Sequence, residues 1–320
     1  MNDCAECWLY TDERITRKLK ENSTVIVAIM NTKGNIRKVM DILKKEGFND
    51  IVPYAKLADI YGDKFHFLYL EDEASFMKRS PEIETARKIL LETGADERSI
   101  LVFDGMVKFR RNKNYYELPE LDSKEEQYFP RDIKGYWTEN ISFVDCGAYI
   151  GDTFLALLKY AEDTKATIKC YYGFEPDQEN YNILETTVKE KNQRYEVYPY
   201  AVCDEKKKLY FNMRGTTASK VDYANADDEK IEVDGVSIDD IHFQVIPSHI
   251  KMDIEGSEWM ALEGAKSIIQ MYKPKLAICI YHKAEDIYSI IKKIHSWNLG
   301  YKFEMRVYEE AGVDLVLYAV

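Results

Sequence analysis

The chain has 320 residues, 46% of them apolar, and a formal charge of −12, a composition that predicts one large folded domain plus a smaller one and excludes disorder. Its negative field repels polyanions and no basic stripe is dense enough to offset that locally, so nucleic acid is not an expected partner. No run approaches the ~20 apolar residues of a membrane span, and none is expected.

The N-terminus carries Asp3, Glu6, Asp12 and Glu13 with no apolar core, which is not the form of a secretion signal. Cys4 and Cys7 make a lone C-x-x-C without the further ligands of a structural zinc site. Cys146, Cys170, Cys203 and Cys279 lie within or at the ends of apolar runs, as small buried thiols do, and this fits a reducing, cytoplasmic setting.

Thr24 to Met30 is a β-branched run that predicts a strand, and Ile36, Val39, Met40 and Leu43 follow at helical spacing with Gly47 placed to stop the helix. After a short apolar run at Ile51 and Val52, a second helix is expected from Ser80 and Pro81 through Ile83, Ala86, Ile89 and Leu90 to Gly94. Ile100 to Phe103 reads as another strand. No glycine-rich phosphate loop follows the opening strand, so residues 1–112 read as a small α/β, partly Rossmann-like domain that packs, recognises a partner or forms a homodimer contact. Pro119, Pro130 and Gly135 interrupt any period over residues 113–140, which read as a linker, and the basic stretch Lys108 to Lys113, with Arg110 and Arg111, reads as solvated there.

Residues 141–320 repeat strand, turn and helix. Strands are expected at Ile141 to Asp145, Lys169 to Glu175, Tyr195 to Val202, His249 to Asp253 and Lys275 to Ile280, forming a parallel sheet covered on both faces. Tyr301 to Tyr308 and Asp314 to Val320, separated by a turn with Gly312, should close as an antiparallel hairpin. The polar stretch from Asp204 to Asp240, with alternating pieces at Lys208 to Phe211 and Lys230 to Val233, reads as a small β insertion.

Chemistry concentrates at the strand tips. Asp145 to Thr153 has the form D-x-G-x-x-x-G, not the dinucleotide form G-x-G-x-x-G. S-adenosylmethionine has no phosphate and carries a sulfonium and an ammonium, so an acidic strand end suits it, and Gly147 and Gly151 let the backbone turn tightly beside it. Alternatively the loop is a plain strand-to-helix turn with an acidic helix start. Glu175 ends the second strand beside this loop, where one carboxylate accepts from two vicinal ribose hydroxyls; Pro176 stops the strand and Asp177 caps the next helix. Lys251 lies in a strand covered on both faces and should pair with Asp253, Glu255 or a ligand. Glu258 is explained by the start of the following helix. His282, at the fifth strand's end, is either a base or a hydrogen-bonded structural histidine. A divalent metal on Asp253, Glu255 and His282 has no ligand-spacing motif behind it, and none is expected.

From about Gln127 onward the motifs Val144-Asp145-Cys146-Gly147-Ala148, Phe174-Glu175-Pro176-Asp177, Lys251 through Glu258, Gly264-Ala265, Tyr281-His282 and Leu315 to Ala319 resemble the FkbM-type methyltransferase family. The resemblance implies an α/β, Rossmann-like class I methyltransferase fold, with a seven-stranded sheet whose last strand is antiparallel, over residues 141–320. It implies S-adenosylmethionine as cofactor and O-methylation of a sugar or other small hydroxylated metabolite. Val307 stands where the family often has a histidine. The assignment carried onto this chain gives the cofactor Asp145, Gly147, Ala148, Tyr149, Gly151, Asp152, Thr153, Glu175, Pro176, Ala201, Val202 and Asp253, and gives the chemistry His282, Lys251 and Asp253. Its rivals are a non-catalytic protein that binds S-adenosylmethionine or a nucleotide sugar, and a nicotinamide oxidoreductase, which the missing G-x-G-x-x-G disfavours.

Overall fold

The computed structural model describes residues 15–29, 34–64, 69–191, 193–212 and 230–320; Cys4, Cys7 and Met30 lie outside them. Near the N-terminus, α1 (Arg17–Glu21) leads to β1 (Thr24–Val27), α2 (Ile36–Lys45) and β2 (Asp50–Pro53), and the two strands pair in parallel. Asn35 caps α2 by accepting from the Lys38 amide, and Gly47, at φ 93°, ends it in the left-handed conformation that glycine tolerates. Short helices α3 (Leu57–Tyr61) and α4 (Glu73–Met77) precede α5 (Ser80–Glu92), which begins and ends as its proline and glycine signals predict, and α6 (Glu97–Asn112).

The strand expected at Ile100 to Phe103 is part of α6. Asp96 caps this helix by accepting from the Ser99 amide at 2.7 Å, and Val102, Phe103, Met106 and Phe109 are all buried. Their spacing is one helical face, which a four-residue window cannot distinguish from a strand. The basic stretch Lys108 to Lys113 is likewise not a solvated connection but the end of that helix. Arg110 stacks 3.8 Å from the Tyr69 ring centre and donates to the carbonyls of Ala284 and Ile280, and Lys113 pairs with Asp59 at 3.0 Å; only Lys108 and Arg111 of the run's cations face solvent. Residues 113–140 contribute Tyr115, Leu118, Tyr128, Phe129, Ile133 and Tyr136 to the core.

The second half follows as β3 (Asn140–Cys146), α7 (Asp152–Thr164), β4 (Thr167–Phe174), α8 (Gln178–Lys189), β5 (Tyr195–Tyr198), β6 (Ala201–Val202), β7 (Lys207–Asn212), β8 (Lys230–Val236), β9 (His249–Met252), α9 (Glu258–Gly264), α10 (Lys266–Tyr272), β10 (Lys275–Cys279), α11 (Asp286–Ser296), β11 (Phe303–Val307) and β12 (Leu315–Ala319). Among the described residues seven strands form one sheet in the order β11-β12-β10-β9-β3-β4-β5, and β12 runs antiparallel to both its neighbours. This is the class I methyltransferase arrangement. The chain builds outward from β3 to β5 and then returns to lay β9 on the other side of β3. Neighbouring crossovers therefore diverge at the carboxyl ends of β3 and β9, where an open α/β sheet leaves a crevice.

Tyr195 to Val202 is not one strand. The run breaks after Tyr198, and Ala201 and Val202 pair with Gly235 and Val236 in a separate sheet of order β6-β8-β7, the expected β insertion. α9 is pressed against this small sheet, since a Cβ on Gly264 would stand 2.0 Å from the Cys203 carbonyl oxygen. Cys146, Cys170, Cys203 and Cys279 are buried free thiols, as their apolar settings predict.

β11 lies at the sheet's edge, yet its outer backbone groups are occupied. The Met305 amide donates to the Ser99 hydroxyl, the Val307 amide donates to Asp122 Oδ2, and the Val307 carbonyl accepts from the Asp122 amide at 2.8 Å. Glu304 accepts from Ser99 Oγ and the Asp96 amide, while Arg306 reaches Asp96 and Asp132. Among the described residues no helix is long and apolar enough to cross a membrane.

Gly264→Ala meets backbone and not a yielding side chain, so it should destabilise the protein by about 2–3 kcal/mol, read as a lower urea midpoint with an unchanged slope.

Candidate active site

The centre of the crevice is built on a register match. Asp145 on β3 and Lys251 on β9 are directly paired residues of adjacent strands, and their side chains form an ion pair at 2.9 Å with 0% and 2% side-chain exposure. Tyr171 donates to Asp145 Oδ2 at 2.6 Å, and the Lys251 ammonium donates to the Gly147 carbonyl at 2.7 Å and to that of Cys146 at 3.4 Å. Burial works against the lysine's charge, but Asp145 and Asp253 outweigh it and hold its pKa above the ordinary value. Lys251 therefore finds its partner across the sheet, not among Asp253 and Glu255. Asp145, expected to face the ligand's positive charge, instead has both oxygens engaged inside the protein.

The ammonium's grip on the Gly147 carbonyl fixes the glycine loop. Gly147 takes φ 83°, and a Cβ there would stand 2.0 Å from the Asp253 carbonyl oxygen, so only glycine allows the β3 and β9 tips to touch. The Gly147 and Ala148 amides both donate to the Phe174 carbonyl, and the Asp253 amide donates to that of Cys146. Gly151, at φ 91°, turns the chain into α7, whose first residues are Asp152 and the buried Thr153.

Glu175 lies just past the β4 tip and is 7% exposed. Its Oε1 accepts from the Asp177 amide and its Oε2 from the Tyr149 amide, each at 2.9 Å, which ties this tip to the glycine loop. Burial raises its pKa to about 7, against the pull of those two amides. Asp177 caps α8 by accepting from the Glu179 and Asn180 amides, the structural role its position predicts.

Beyond Lys251 the tips of β9 and β10 meet. Asp253, with a side chain 24% exposed, accepts from the Tyr128 hydroxyl at 2.7 Å through Oδ2, and its Oδ1 lies 3.4 Å from His282 Nε2. Glu255 Oε2 is 3.7 Å from the same nitrogen, and Glu258 Oε1 is 2.9 Å from His282 Nδ1. Burial alone would lower the imidazole pKa, but Glu258, Asp253 and Glu255 raise it to about 10. At neutral pH the ring is an imidazolium. Asp253 is held below the ordinary carboxylate value because Lys251, His282 and the Tyr128 hydrogen bond outweigh its burial.

The structure thus brings the 145–153 loop, Glu175, Lys251, Asp253 and His282 to one edge. It leaves Ala201 and Val202 buried in the small second sheet. Sequence reasoning missed Tyr171 and Tyr128, which carry no local signal; Glu258 does open α9 as read from the sequence, and its full burial beside His282 is what that reading lacked.

Residues 145–303 match the family model described as the methyltransferase FkbM domain. Among solved structures, the methyltransferase FkbM from Methylobacillus flagellatus KT aligns with a TM-score of 0.73 at 23% sequence identity, over 91% of this chain and 72% of that one; at that identity the likeness is one of fold. No curated protein matches the chain.

Lys251→Met strands a carboxylate inside the sheet and should cost about 3–5 kcal/mol. In urea unfolding, Asp145→Asn combined with Lys251→Met should recover much of that loss, whereas additive losses would show that the pair is not the clasp.

Proposed function

We propose that this chain is an FkbM-family methyltransferase that takes its methyl group from S-adenosylmethionine and passes it to a hydroxyl oxygen of a sugar or another small metabolite. Glu175 is the main support. Each of its oxygens accepts one backbone amide, which leaves each a lone pair for one of two neighbouring ribose hydroxyls. The donor set around it suits a nucleoside without phosphates: a glycine turn with no lysine in it, a carboxylate, and the N-terminal residues of α7. In this proposal Gly147, Ala148, Tyr149, Gly151, Asp152, Thr153 and Pro176 line the cofactor side with Glu175, and Ala201 and Val202, buried in the second sheet, have no part in it. The bound cofactor supplies an electrophilic methyl on a positively charged sulfur.

Asp253 and His282 occupy the tips on the acceptor side of the switch point. Asp253 is partly exposed and ionised, so it accepts a hydrogen bond from the acceptor hydroxyl, orients that oxygen toward the methyl and takes its proton as the oxygen–carbon bond forms and the carbon–sulfur bond breaks. His282, charged at neutral pH, holds Asp253 in place and does not act as the first proton acceptor. Lys251 is a positioning residue, because its ammonium is committed to Asp145 and the loop carbonyls. Alignment of this kind is worth about 7–11 kcal/mol, more than one general base supplies. The four buried free thiols support a cytoplasmic setting as part of the same proposal.

Calorimetry with S-adenosylmethionine and its demethylated product tests the reading. Glu175→Gln should weaken both by at least ~10-fold, the loss of a charge-assisted pair of hydrogen bonds. Unchanged affinity would remove Glu175 from the site, and tight binding without transfer to any hydroxylated metabolite would make the chain a sensor.

The pH dependence has a definite sign. Glu175 must be ionised to accept from the ribose, so affinity should be full above pH 7 and fall as pH drops through about 7. The ligand-free protein behaves oppositely: with the folded pKa above the unfolded one, the stability tied to this group is present at acid pH and is lost as pH rises through about 7. In Glu175→Gln the affinity trend should vanish and the stability trend should shrink to the part carried by Asp286, which burial also raises to about 7, checked by calorimetry and thermal melts from pH 5.5 to 8.5.

A further inference from the structure

Asp253, Glu258 and His282 each offer one ligand atom, and these atoms lie within 4.8 Å of one another. Carboxylates cluster on many proteins, and the decisive feature here is the imidazole. His282 is 5% exposed, and neither of its ring nitrogens makes a hydrogen bond, nor does Glu258 Oε2. Leaving buried donors and acceptors unmade costs roughly 1–3 kcal/mol each, and few are left so in native interiors. The nitrogens are nonetheless in polar contact, Nδ1 at 2.9 Å from Glu258 Oε1 and Nε2 at 3.4 Å from Asp253 Oδ1. Without another partner the ring keeps a proton among these carboxylates; a cation that takes lone pairs would displace that proton and meet two oxygens and a nitrogen that already approach one another.

We propose that Asp253, Glu258 and His282 bind a divalent first-row transition-metal ion at the acceptor end of the crevice. One imidazole and two carboxylates suit Mn²⁺, Fe²⁺, Co²⁺ or Zn²⁺, whereas an all-oxygen set would favour Mg²⁺ or Ca²⁺. The supporting contacts leave coordinating atoms available. Tyr128 donates to Oδ2 of Asp253, and Oδ1 accepts only a long 3.5 Å hydrogen bond from the Tyr281 hydroxyl, which leaves it a lone pair toward the imidazole; the Ile254 amide donates to Oε1 of Glu258, leaving Oε2 without a hydrogen bond. Hydrogen bonds to the back of a ligating carboxylate are what orients metal ligands elsewhere. Asp253 keeps its side chain 24% exposed, so an ion there retains an open face toward the crevice. The sequence disfavoured a metal because the ligands come from two strand tips with no fixed spacing, and its trial set held Glu255 where the geometry selects Glu258.

The site stands on this geometry; its use, holding the acceptor oxygen beside the cofactor, rests on the methyltransferase reading above. The full-length protein, stripped with a chelator, is titrated with MnCl₂ and ZnCl₂ by calorimetry. One equivalent should bind, and His282→Ala and Glu258→Gln should each weaken binding at least 10-fold. Because either variant could fail to fold, the wild type with Mn²⁺ is also examined by pulsed electron paramagnetic resonance, where one imidazole nitrogen coupling is expected. No stoichiometric binding, or bound Mn²⁺ without nitrogen coupling, overturns the site. Metal binding with nitrogen coupling but no affinity for S-adenosylmethionine keeps the metal site and removes the methyltransferase reading. Full methyl transfer in excess chelator keeps the methyltransferase reading and removes the ion's part in holding the acceptor oxygen.

Discussion

The buried pair between Asp145 and Lys251 is the constraint on which the crevice depends. Two opposite charges at paired positions of β3 and β9 tie together the strands that flank the sheet's switch point. Their attraction is strong because water is excluded, and the desolvation cost of each charge is offset only by the other and by Tyr171 and the loop carbonyls. The ammonium that neutralises Asp145 also holds the glycine loop by its carbonyl oxygens. One lysine therefore sets both the spacing of the strands and the shape of the turn beside them.

That pair also marks the limit of what the residue order discloses. Lys251 in an apolar strand announces that it needs a partner, and the strand tips, the glycine turn and the closing hairpin are all legible from periodicity and turn residues. The identity of the partner is not, because it follows from the register of strands more than 100 residues apart, and reasoning along the chain offered Asp253, Glu255 or a ligand. The same limit hid Tyr128, whose hydroxyl meets Asp253 from a segment that composition alone presented as a linker. The run at Ile100 failed for a different reason: four apolar residues fit either period, and the Asp96 cap that decides for a helix lies outside the run.

Charge is also distributed differently from its appearance in the sequence. The tips carry Asp145, Glu175, Asp253, Glu255 and Glu258, yet their environments separate them. Asp145 is neutralised by Lys251, Asp253 is held ionised by the cations around it, and Glu175 sits near the middle of the physiological range because burial opposes its charge. Different environments give similar acids different proton affinities along one sheet edge, and the proposed roles, a nucleoside on one side and a reacting oxygen on the other, draw on that difference.

The edge strand β11 has its outward amides and a carbonyl taken by Ser99 and Asp122, and its charged side chains taken by Asp96 and Asp132. A polypeptide trimmed to the catalytic sheet would lose Asp96 and Ser99. It would then present an open ladder, with Arg306 stripped of its Asp96 and Ser99 partners beside it, a template onto which a second molecule can add a strand. The amino-terminal helices thus cover this edge, and shortened versions made for convenience should be judged first by whether they self-associate.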